Sequence, residues 1–109
     1  MDLLYAAEKF GAAIEKIVTT TETLTPQRKV EIAATELTLI GPDNFPNELR
    51  DDFRRWKEQV SKVKDEVLGS FAATSLSLSD REAGEILKRF YTFHYKINTA
   101  LEFGKDQSE

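Results

Sequence analysis

Leu49, Phe53, Trp56, Val60, Val63 and Val67 follow one another at steps of four, three, four, three and four. On a strand, where successive side chains alternate, such steps would scatter the six across both faces; on an α-helix they draw one narrow line. The segment therefore reads as a helix with a heptad seam, opening at Pro46 and stopping near Gly69. The same period appears twice more at length. Leu3, Ala7, Phe10, Ile14, Ile17, Thr21 and Leu24 form one stripe, widened by Leu4, Gly11 and Val18. Ala83, Ile86, Leu87, Phe90, Phe93, His94, Ile97, Ala100 and Leu101 form the other. A shorter stripe, Val30, Ala33, Ala34, Leu37 and Ile40, lies between the first two helices so defined.

Punctuation supports these boundaries. The chain holds only five glycines and three prolines, too few chain-reversing residues for the many turns of a sandwich or barrel. Thr25-Pro26 supplies an N-cap followed by proline at the first helical position. Gly41-Pro42 is a stop, and Ser79-Asp80-Arg81-Glu82 is a capping box. Gly104 should close the last helix near Phe103, leaving 105–109 as a frayed tail. The linker Ser70–Leu78, with Phe71 and Leu76, should lie on the core. The expected architecture is all-α: one domain over 1–109, an antiparallel four-helix bundle with three helices of about 22 residues and one shorter one.

Apolar residues at 40% and charged residues at 31% suit a packed domain better than a disordered segment. There is no cysteine, so disulfides, thiolate metal sites and cysteine nucleophiles are excluded. The net charge is −4, from 19 acids and 15 bases, the wrong sign for a domain built to hold a phosphate backbone. Met1 is followed by Asp2, with no basic leader, and no apolar run reaches the ~20 residues needed to cross a bilayer. The expectation is a cytoplasmic protein.

Few residues carry chemistry. His94 is the only histidine; the residue three before it is Tyr91, so the Glu-x-x-His pairs of a di-iron bundle are missing, and no further strong zinc ligands accompany it. No glycine begins a phosphate-binding loop, and no serine sits in a nucleophile turn. No cofactor, metal or small-molecule ligand is expected. Arg89 and His94, with four residues between them, resemble the Arg-x4-6-His signature of the HEPN ribonucleases, small helical bundles that act as dimers. The resemblance covers six residues and the bundle class. It departs from the family at Phe90, where a polar residue is usual. It implies a catalytic pair in a dimer cleft, the histidine moving a proton and the arginine holding phosphate. The other reading places His94 at the edge of the core, since it lies in line with Leu87 and Leu101.

The remaining features are surfaces. On the third predicted helix, with Phe53, Val60 and Val67 at heptad position a, most bases flank one side of the seam and most acids the other. Arg50, Arg54, Lys57 and Lys64 make a basic row that could meet a second copy in parallel, phosphates, or the acidic row Glu8, Glu15 and Glu22 of the first helix. Tyr91 and Tyr95, one turn apart, point away from Phe90 and Ile97. Ile32 and Leu39 lie opposite Val30 and Leu37. Both pairs are candidate interface residues. The function expected is non-catalytic protein binding, as a homodimer, with an HEPN-like ribonuclease using Arg89 and His94 as the alternative.

Overall fold

The computed structural model describes residues 3–66 and 69–107. The described chain is helical, without a strand: α1 Leu3–Thr19, α2 Pro26–Glu36, a 3-10 turn Pro42–Asn44, α3 Asn47–Val60, α4 Ser70–Ser77 and α5 Asp80–Gln107. There are thus five α-helices where the sequence suggests four. None is long and apolar enough to cross a membrane among the described residues.

Local chemistry explains the starts. Thr25 Oγ1 accepts the Arg28 N–H at 3.1 Å ahead of Pro26, as the Thr-Pro pair requires. At α5 the capping box is closed on both sides, Ser79 N–H donating to Glu82 Oε1 at 3.0 Å and Glu82 N–H to Ser79 Oγ at 3.1 Å. Gly69 precedes α4 with φ +86° and ψ 151°, a region open essentially to glycine alone. Asn44 closes the 3-10 turn by accepting the Gly41 N–H through its side chain and donating its own N–H to the Gly41 carbonyl, both at 3.0 Å.

α1 ends at Thr19, short of Leu24, and α2 at Glu36, short of the Gly41 stop, so the three longest helices span 17, 14 and 28 residues where about 22 each were expected. Three further boundaries move. The seam helix ends at Val60, not near Gly69. Ser61 N–H turns back to the Glu58 carbonyl at 3.3 Å and Ser61 Oγ to the Lys57 carbonyl at 2.7 Å. The Val63 N–H is then taken at 2.9 Å by Thr74 Oγ1 of α4. Ser61 and Val63 are mediocre helix formers, and a partner from another helix outbids continuation. Val67 lies outside the described residues. Second, the Ser70–Leu78 linker forms α4, and it does lie on the core: Ala73, Thr74, Ser75 and Leu78 are buried. Third, α5 runs through Gly104 to Gln107, so 105–107 are helical where a tail was expected. An interior glycine costs a helix about 1 kcal/mol and does not by itself end one.

The core joins α1, α2, α3 and α5 around aromatic rings. Phe10 of α1 lies 5.0 Å from Phe90, 6.3 Å from Phe45 and 6.4 Å from Phe53, centroid to centroid. Trp56 is fully buried, 6.0 Å from Phe53 and 6.1 Å from Phe90, and its Nε1–H donates to the Ile86 carbonyl at 3.1 Å. Leu49, Phe53, Trp56 and Val60 are all buried, so the helical part of the seam faces its own core, while Val63, beyond the end of α3, is half-buried.

Candidate interaction surfaces

The basic row does not survive as a row. Arg50 Nε donates to the Phe45 carbonyl at 2.9 Å and fastens the 3-10 turn to α3. Arg54 pairs with Asp51 one turn back. Lys57 is half-buried; its ammonium donates to the Leu37 and Thr38 carbonyls at 2.7 and 3.3 Å, and lies over the Phe53 and Phe71 rings. It caps the end of α2, where the negative pole of the helix favours a cation, and burial pulls its pKa below the ordinary lysine value. Lys64 lies beyond the end of α3. Among the described residues, no ion pair joins Glu8, Glu15 or Glu22 to these bases. The link from α1 is Lys16 to Glu36 of α2.

Arg89 and His94 do not share a cleft within the chain. Five residues of helix turn the side chains about 140° apart. His94 stacks on Phe10 of α1, 6.5 Å between centroids, with the Asn98 amide 3.3 Å from its Nε2. Arg89 instead lines a groove of about 210 Å³ between α3 and α5, with Asp52, Arg55, Thr92, Phe93 and Lys96. No spacing within one helix announces that groove, because its walls come from segments more than thirty residues apart.

The apolar candidates divide. Ile32 is half-buried on the wall of a cleft of about 530 Å³ between α1 and α2. Charges in that cleft neutralise one another through Lys16–Glu36 and Arg28–Glu31. Leu39 is 78% exposed, Tyr95 71% and Tyr91 41%. Beside these, Leu4 at 59% and Val18 at 73% are exposed on α1, although their spacing predicts them at the margin of the core stripe. They lie fourteen residues apart with Gly11 midway, one line on the outer side of the helix. Leu76 of α4 is a further exposed leucine, at 73%. Among the described residues, no three histidine, aspartate or glutamate side chains are grouped to hold a metal ion.

No family model, curated protein or solved structure matches this chain.

Proposed function

We propose that this chain is a cytoplasmic helical-bundle protein that acts by binding protein, as a homodimer, without chemistry of its own. The observation that carries this reading is the set of large apolar side chains left in water on two helices that pack together: Leu4 and Val18 of α1, and Tyr91 and Tyr95 of α5. Each costs free energy while exposed, and tyrosine is favoured at interfaces because it offers apolar area with few rotatable bonds and a polar tip. The absence of cysteine fits a reducing compartment. The buried core cluster draws residues from α1, α2, α3 and α5, which supports the bundle reading.

Size-exclusion chromatography with light scattering tests the proposal. The chain is 12.4 kDa; the expected result at high micromolar concentration is twice that mass, reduced to the single mass by Val18→Glu or Tyr95→Glu. A wild-type protein that stays at the single mass overturns the homodimer. So does a dimer that neither substitution weakens.

A further inference from the structure

We propose that the groove between α3 and α5 binds the phosphoryl group of a small molecule. Arg55 approaches it from α3, Arg89 and Lys96 from α5, against the single carboxylate of Asp52. The lining therefore carries a formal charge of +2, three cations less one anion, in a protein whose net charge is −4. Arg55 is only loosely held, 3.4 Å from Asp52 with both side chains largely in water. Arg89 and Lys96 have no ion-pair or hydrogen-bond partner among the described residues. They stand two turns apart on one line of α5, a rise of about 10.5 Å, with Thr92 between them.

Three cations around one groove repel one another, and the Asp52 carboxylate, the one acid in the lining, offsets a single charge. A phosphate monoester, with about −1.5 to −2 charges near neutral pH, matches the excess. Two guanidinium forks brought from different helices suit its oxygens better than point charges would. Phe93 forms an apolar floor; it is buried and held by Phe45 and Phe53 at 6.2 and 5.7 Å, so the groove has a firm base. The Thr92 hydroxyl donates to the Lys88 carbonyl at 2.9 Å and leaves its lone pairs, not its proton, toward the surroundings; the cations are the donors available.

The size and surroundings of the groove choose between a small molecule and a nucleic acid. At about 210 Å³ it is below the roughly 300–1,000 Å³ of pockets that engulf a whole drug-sized ligand, and suits a headgroup. A nucleic-acid track needs further free cations along its path. The neighbouring bases of α3 are otherwise engaged, Arg50 on the Phe45 carbonyl, Arg54 on Asp51 and Lys57 on the end of α2.

The test is a ¹H–¹⁵N NMR titration of the full chain with inorganic phosphate, pyrophosphate and AMP at matched ionic strength, beside a short single-stranded RNA. At least one small phosphorylated probe should give saturable shifts centred on Arg55, Arg89, Thr92 and Lys96. Arg89→Gln and Lys96→Gln should each weaken that binding about tenfold. Asp52→Asn should tighten it about threefold or more, by removing the opposing charge and freeing Arg55. Arg81→Gln, which removes an equal charge from the start of α5, should leave it unchanged. All four substituted side chains are exposed, so the variants are expected to fold. The proposal is overturned by the absence of saturation with every small probe, by equal sensitivity to Arg81→Gln, by weaker binding in Asp52→Asn, or by binding of the RNA alone.

Discussion

At the scale of single residues, the indole of Trp56 shows how one side chain can decide the meaning of a sequence pattern. A heptad seam can face its own core or a second helix in another molecule, and period alone does not separate the two. Trp56 is fully buried, touches Phe53 and Phe90, and satisfies its only polar atom on the Ile86 carbonyl. A tryptophan so placed binds α3 to α5. Trp56→Ala should therefore destabilise the fold by about 3–5 kcal/mol, through lost burial and the cavity left behind. Urea unfolding followed by circular dichroism checks this; a cost below about 1 kcal/mol, typical of surface substitutions, would mean that the indole is not in the core. Lys57 gives the contrasting case. In the sequence it is one more base on a charged flank, yet its ammonium closes the carbonyl end of α2, twenty residues away. Nothing local to Lys57 signals that use, because its partners are backbone atoms whose position depends on the completed fold.

Helices that start with their own capping chemistry were legible, and those whose limits depend on a neighbour were not. Thr25-Pro26 and Ser79-Asp80-Arg81-Glu82 carry their hydrogen-bond partners within one turn, so the starts of α2 and α5 follow from sequence. The end of α3 depends on Thr74, eleven residues beyond the Val63 amide it satisfies, and the heptad period runs through that point without a mark. α4 was legible as material for the core from Phe71, which packs against it, whereas Leu76, the other apolar residue that suggested this, is exposed; a stripe so short shows no period that would tell the two apart. The capping box makes a testable statement about pH. The Ser79 amide and hydroxyl hold the Glu82 carboxyl below the usual carboxylate range. A carboxyl depressed in the folded state adds stability above its unfolded pKa and loses that contribution as pH falls through the folded value. Glutamine can still accept the Ser79 N–H, so Glu82→Gln isolates the charge. Thermal midpoints should place wild type above Glu82→Gln at pH 7, with the gap narrowing as pH falls below about 4. A gap that is constant or widens with acid would show that the carboxylate charge does not contribute.

At the scale of the whole molecule, burial and exposure are in tension. The core takes one row of each long helix, and the expected dimer surface is what the rows beside it leave over, Leu4 and Val18 on α1 and Tyr91 and Tyr95 on α5. The tyrosines could be foreseen because they lie opposite the densest part of the α5 stripe. Leu4 and Val18 could not, because a wide apolar stripe has no internal mark dividing what one chain can cover from what it must leave out. If a second copy covers them, folding and association are linked, and stability must depend on protein concentration. For a dimer that dissociates as it unfolds, each tenfold rise in concentration adds about 0.7 kcal/mol per protomer, half of the usual 1.4. In a domain of this size that raises the thermal midpoint by a few degrees, at about 4–8 °C per kcal/mol. Wild type should show this rise across a hundredfold range of concentration. Val18→Glu should not, and should melt near the wild-type value at the lowest concentration, because Val18 contributes little to the core of one chain. A wild-type midpoint that is independent of concentration would place the exposed stripe outside any self-association. A Val18→Glu midpoint depressed equally at every concentration would instead assign Val18 to the stability of the single chain.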